Sequence, residues 1–198
     1  MTPQPRRLFI GLMPDRAIQS AIQRHCKEWE WPADARPTRF GRYHITLQFL
    51  GDVAVGHEGR LRAALRGVPI APLEIELCIP EVWSNRVAVL RAAPHDGLRA
   101  LQLATGEAVA AAGLKYEAEH KFMPHVTLSR NAAHARPPKM VKSICWRVDA
   151  FQLMWSVMPP EAKPARYEVI ERFGVTADRA LQPPAPSGQG GEQLPLID

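Results

Sequence analysis

The chain has 198 residues, 46% hydrophobic and 23% charged, a balance that excludes disorder as the main state and suffices for one domain with a sizeable core. No run approaches the ~20 apolar residues of a membrane-spanning helix. The apolar stretch Leu8–Pro14 is followed by Asp15 without a small-residue cleavage site, so no secretory leader is read and a cytoplasmic location is expected. The formal net charge is +5; residues 181–198 hold two acids, Glu192 and Asp198, and no Lys or Arg, which leaves +7 on the rest and a bias toward polyanions such as nucleic acid or nucleotides.

In chain order, Arg7–Leu12 reads as a first strand. Asp15 then caps a helix to about Trp29, with Ile18, Ile22, Cys26 and Trp29 on one buried face. Trp31–Arg39 holds two prolines and reads as loop. Tyr43–Leu50 reads as a strand ending in a turn at Gly51–Asp52, and Glu58–Arg66 as a short helix. Leu73–Ile79 alternates apolar with polar side chains, the pattern of a sheet buried on one face, and a turn at Ser84–Asn85 leads to a partner strand, Arg86–Leu90. Leu98–Ala112 is Ala-rich and helical, stopped by Gly113. Val126–Ser129, Trp146–Val157 and Tyr167–Phe173 read as further strands. The folded domain is placed at residues 1–179. A Pro- and Gly-rich stretch, 180–198, is read as a flexible tail.

Cys26, Cys78 and Cys145 form no CxxC pair or zinc signature and read as reduced, mostly buried thiols. His120 and His134 flank His125 but find no carboxylate or Cys spaced to complete a metal site, so no metal and no cofactor are expected. His25, His57 and His95 are read as solvated or locally satisfied. Trp83, Trp146 and Trp155 fall in strand-like segments and read as core. Arg60, Arg62 and Arg66 read as a solvated helix face, with contact to an RNA backbone as the sharper option.

One internal repeat remains. His44-Ile45-Thr46-Leu47 recurs as His125-Val126-Thr127-Leu128, where chance supplies roughly 0.02 matches to H-x-T-L in a chain of this composition. In a strand, residues i and i+2 share a face, so each His projects with its Thr while Ile45, Leu47, Val126 and Leu128 face apolar packing. If the two halves are related by a pseudo-two-fold axis, the two His–Thr pairs face each other across one cleft. Two imidazoles with intrinsic pKa near ~6.5 can divide acid and base work, and threonine hydroxyls can hold phosphate oxygens between them.

These residues resemble the 2H phosphoesterases, in particular the bacterial and archaeal RNA 2′,3′-cyclic phosphodiesterases once described as 2′–5′ RNA ligases. The resemblance rests on HITLQFLG and PHVTLSR, supported in family order by RRLFIGLMP, FQLMWS and RYEVIERF, and spans roughly residues 6–174. It implies an α+β fold of two pseudo-symmetric lobes whose antiparallel sheets flank a central cleft, with helices outside. It also implies metal-independent hydrolysis of an RNA 3′-terminal 2′,3′-cyclic phosphate to a 2′-phosphate. Carried over by motif, His44 is the proton donor and His125 the proton acceptor. Thr46, Thr127 and Arg130 hold the phosphate, and Phe122 is a candidate for stacking on a terminal base. Gln48 and Met123 stand where relatives often carry a basic residue. The expected partners are RNA 3′ ends or nucleotide cyclic phosphates, the chain acting as a monomer without an obligate protein partner or a membrane. Alternatives carried forward are a small cyclic nucleotide or an ADP-ribose cyclic phosphate as substrate, weak reversible 2′–5′ ligation, and a non-catalytic RNA-binding module.

Overall fold

The computed structural model describes residues 4–116, 121–157 and 166–174. The tail expected at 180–198 and the position of His120 lie outside the described residues. Nine strands and three helices follow in the order β1 (Arg6–Leu12), α1 (Arg16–Cys26), β2 (Arg36–Pro37), β3 (Ile45–Val53), α2 (Val55–Arg66), β4 (Leu73–Val82), β5 (Ala88–Ala92), α3 (Asp96–Ala111), β6 (His125–Arg130), β7 (Ile144–Val148), β8 (Ala150–Val157) and β9 (Arg166–Gly174). The fold is α+β, built on antiparallel pairing throughout.

The strands run β7-β4-β5-β6-β3-β1-β8-β9, with β2 added alongside β6. Each four-stranded half contributes one H-x-T-L strand to the middle, β6 from one and β3 from the other. The halves meet at a single ladder pair, Ile45 opposite Val126. These are the central residues of the two motifs. Antiparallel pairing therefore sets His44 opposite Thr127 and Thr46 opposite His125, all on one face because side chains alternate. Ile45, Leu47, Val126 and Leu128 point the other way and are buried in the core with Leu8, Ile10 and Leu12. At roughly 1.5–3 kcal/mol for each fully buried aliphatic side chain, this packing fixes the facing of both motifs.

The helices close the apolar face. Asp15 caps α1, its Oδ1 accepting from the Ile18 amide at 2.8 Å, and α1 packs on β7. Helices α2 and α3 pack on each other, α3 also against β3 and β4. Arg60 and Arg66 are exposed and Arg62 partly so, as a solvated face requires, and Arg62 and Arg66 also bind Glu171 of β9 and so join α2 to the sheet.

Several expectations are corrected. Gly51–Asp52 is not a turn: β3 continues to Val53 through a register shift opposite Leu8 and Phe9, with Gly51 at φ +64° supplying the left-handed backbone that such a bulge uses. A second shift, between Ile10 and Gly11, follows Thr46 directly. Trp146–Val157 is two strands broken at Asp149, because Ile144–Val148 pairs with β4 while Ala150–Val157 pairs with β1 in the other half. Helix α1 ends at Cys26, before Trp29. None of the three thiols is fully buried, and Cys145 is exposed. Trp146 is core and Trp155 packs against the core, partly buried, under the Arg6 guanidinium, but Trp83 lies beyond β4 with its ring against His125. His25 accepts from Trp29 Nε1 at 3.1 Å and His95 caps α3, so both are satisfied locally. Among the described residues no helix is long and apolar enough to cross a membrane.

Candidate active site

The two motif strands open onto a cleft of about 560 Å³ lined by His44, Thr46, His125, Thr127 and Arg130 together with Tyr167. The structure thus brings together five of the six candidates. Phe122 lies on the other side of His125, in an adjoining cleft of about 490 Å³ that shares Thr46, Phe49 and His125 with the first, and its ring is partly packed into the core.

The imidazoles are held alike. His44 Nδ1 lies 2.8 Å from the carbonyl oxygen of Arg42, and His125 Nδ1 lies 2.8 Å from that of Met123. A carbonyl only accepts, so each Nδ1 carries a proton and each neutral ring keeps its lone pair on Nε2. Phe9 and Tyr167 flank His44, with ring centroids at 5.0 and 5.2 Å, and Trp83 flanks His125 at 4.4 Å.

Electrostatics push both rings toward the neutral form. Burial lowers the His44 pKa below the usual histidine value; the bond to the Arg42 carbonyl opposes this, and the charges of His125, Arg42 and Arg130 add to it. Burial also lowers His125, opposed by the bond to Met123 and reinforced by Arg91, its cross-strand partner on β5. The site is thus a pair of imidazoles biased toward the neutral, basic form in a cationic surround.

That surround is not visible in the sequence. Arg7, Arg36, Arg39 and Arg42 line the same cleft as Arg130. Strand β2 pairs Arg36–Pro37 with Arg130–Ser129, and the Thr38 amide donates to the Leu128 carbonyl at 2.8 Å, so an arginine-rich loop lies along β6. Arg36 and Arg130 stand directly opposite, a like-charge juxtaposition that destabilises a bare ladder. Among the described residues none of the five cleft arginines is paired with a carboxylate.

Phe49 is a further site residue that the motifs do not point to. It is 61% exposed, lines both clefts, and lies under the Arg7 guanidinium at 5.0 Å. Gln48 points to packing instead: its amide donates to the Gln102 carbonyl at 2.7 Å and ties β3 to α3. His134 is exposed, and the described residues contain no group of three or more His, Cys, Asp or Glu able to hold a metal ion.

A fold with two H-x-T-L strands converging on one cationic cleft is that of the 2H phosphoesterases. The family model of the 2′–5′ RNA ligase superfamily matches residues 14–157, and the chain belongs to that superfamily. Among solved structures it is similar to E. coli LigT complexed with phosphate, at 25% identity and a TM-score of 0.73 over 88% of this chain and 99% of that one. E. coli LigT complexed with 3′-AMP gives 26% identity and a TM-score of 0.72 over 87% and 99%. TT0787 of Thermus thermophilus gives 25% and 0.71 over 85% and 97%. No curated protein matches the sequence.

Proposed function

We propose that the protein is a metal-independent phosphodiesterase that opens the 2′,3′-cyclic phosphate at an RNA 3′ end to a 2′-phosphate. The observation that carries the reading is the β3–β6 register, which alternates His44, Thr127, Thr46 and His125 on one face of a single cleft. The threonine hydroxyls donate to the non-bridging oxygens, and Arg130 adds charge as the pentacoordinate transition state forms. A neutral imidazole takes a proton from water through Nε2, the water oxygen bonds to phosphorus, and the P–O3′ bond breaks. The second imidazole, protonated, delivers its proton to the departing O3′. One water is consumed, and the two rings exchange protonation states until solvent resets them.

The protein's own groups push both imidazoles toward the neutral form, so the substrate supplies the field that charges one of them. A phosphodiester anion within ~4–6 Å favours the imidazolium and reverses the effect of the arginines. The resemblance gives His44 as donor and His125 as acceptor. One observation favours the reverse order: the charges of Arg42 and Arg130 both disfavour protonation of His44, while Arg91, the arginine that does so at His125, is paired with Glu81. The proton is then held more readily on His125.

RNA is favoured over a small cyclic nucleotide by the arginines that extend beyond the phosphate position, since Arg36 and Arg39 lie along β2 and the loop after it, suited to further backbone phosphates. E. coli LigT, crystallised with phosphate and with 3′-AMP, supports a nucleotide phosphate as ligand. The exposed face of Phe49 offers a base a stacking surface that Phe122, partly buried, offers less of. The test compares an oligoribonucleotide carrying a 2′,3′-cyclic phosphate with the matching cyclic mononucleotide, in excess EDTA. Turnover of the oligomer at a higher kcat/KM supports the reading, and exclusive turnover of the mononucleotide overturns the RNA assignment.

A further inference from the structure

The two histidines are alike in their own hydrogen bonds and unlike in what surrounds them. His44 sits between Phe9 and Tyr167, and the Arg42 guanidinium lies over the Tyr167 ring at 4.7 Å and donates to its hydroxyl at 3.2 Å. Among the described residues that arrangement contains no carboxylate. On the other side, β4 supplies one. Glu81 accepts from Trp83 Nε1 at 2.9 Å through Oε2 and from Arg91 Nη1 through Oε1. Trp83 is the ring packed edge-on against His125, and Arg91 is the residue opposite His125 in the β5–β6 ladder. One half-buried carboxylate therefore grips both side chains that border the imidazole.

We propose that Glu81 is a positioning residue for His125: it clamps Trp83 and Arg91 against the ring and offsets the Arg91 charge. The inference rests on the reading of His125 as an acid–base group. Trp83 follows the last residue of β4 and precedes the Ser84–Asn85 turn, where Arg86 adopts φ +65°. A side chain on such a turn has little of its own to fix its rotamer, and the bond to Glu81 supplies the constraint. Arg91 Nε is buried without a partner, so its guanidinium is held through the end that Glu81 grips. Releasing that end frees a positive charge next to His125.

Among the described residues the charged and titratable groups facing His125 are Arg91 on β5, Glu81 on β4, His44 beside β3, Arg130 on β6 itself and Lys115 in the adjoining cleft. Glu81 is the sole carboxylate among these groups. Its removal makes protonation of His125 harder, while His44, bordered by other groups, keeps its own titration.

The experiment follows both histidines by NMR titration in the whole protein, parent against Glu81→Gln, Glu81→Asp and Trp83→Phe, with thermal unfolding as a check on folding. Glu81→Gln is expected to move the His125 titration down by at least about 0.3 pH unit, the scale of one partly screened charge, with His44 unmoved. The limb of the kcat/KM profile governed by His125 shifts with it. Glu81→Asp restores the charge and returns the midpoint toward that of the parent. Trp83→Phe, which keeps the ring and loses the Nε1–H, leaves the midpoint in place and broadens the His125 resonance. Equal shifts of both histidines, or none in a folded Glu81→Gln protein, overturn the proposal. Because the titration needs no substrate, it separates this proposal from the RNA reading, which fails instead by absence of turnover in the parent.

Discussion

Replacing Arg36 and Arg130 with Gln removes the two cations set opposite each other where β2 pairs with β6. Two effects of opposite sign follow. Like charges facing across a ladder cost roughly 0.2–1 kcal/mol, and both residues are exposed, so relief is expected at about 0.2–0.5 kcal/mol. For a domain of this size that raises Tm by about 1 °C. Binding moves the other way. Each phosphate contact on a single strand contributes a slope of about −0.7 to log K against log salt, so losing two flattens the slope by about 1.4 and weakens binding roughly tenfold at 0.15 M salt. The assay is fluorescence anisotropy of an oligoribonucleotide ending in a 2′-phosphate, titrated between about 0.05 and 0.5 M salt (about one decade in ionic strength), paired with thermal unfolding. A slightly more stable double variant with a flatter salt dependence is the expected result. An unchanged slope would show that these arginines do not meet the RNA backbone, and the argument from unpaired charge would collapse.

Other outcomes are equally specific. The pKa values of His44 and His125 lie below the usual histidine value in the fold, as does that of His25, lowered by burial against a smaller raising effect of Glu28. Folding therefore favours their neutral forms: the contribution is complete above the unfolded pKa near ~6.5 and is lost as pH falls from there through the lowered folded-state pKa. The urea midpoint should drop between pH 7.5 and 5.5, by less when phosphate is present; a flat profile would contradict the burial argument. In the parent, NMR should find His44 titrating below His125, and the reverse order would restore His44 as the better proton donor. Phe49→Ala should leave stability within about 0.5 kcal/mol because the ring is exposed. It should raise KM for an oligoribonucleotide by about five-fold or more with kcat little changed, as a lost stacking surface would, and an unchanged KM would remove Phe49 from the site. A Cβ added at Gly11 would stand 2.8 Å from the Ile45 carbonyl oxygen, which as backbone cannot swing aside. Gly11→Ala should therefore destabilise by about 1–3 kcal/mol and lower kcat by displacing the strand between His44 and Thr46; full activity at parental stability would show that β3 tolerates movement there.

The chemistry is more legible in the sequence than its surroundings are. His44, Thr46, His125 and Thr127 stand out because a four-residue pattern repeats, and strand periodicity alone puts each His with its Thr. The capping of α1 by Asp15 and the alternating burial of β4 are local effects and are legible for the same reason. The sequence does not show that Asp149 divides one apolar run into two strands, since both parts have strand composition and only their pairing partners differ. Gly51 signals a positive φ, but the same signal serves a turn or a bulge, and the continuing partner strand β1 decides. Trp83, Arg91 and Tyr167 reach the histidines from segments far away in sequence, so no spacing rule points to them. Phe49 follows the first motif closely, and its place in the cleft depends on the register shift after Thr46.

The most direct measurement of the central claim is hydrolysis of an oligoribonucleotide ending in a 2′,3′-cyclic phosphate, in excess EDTA, by the parent protein, His44→Ala and His125→Ala. The account predicts conversion to a 2′-phosphate that survives the chelator and falls at least about 10²-fold in each variant, the scale of lost acid–base catalysis. Absence of turnover in the folded parent, or a rate that either variant retains, would contradict it.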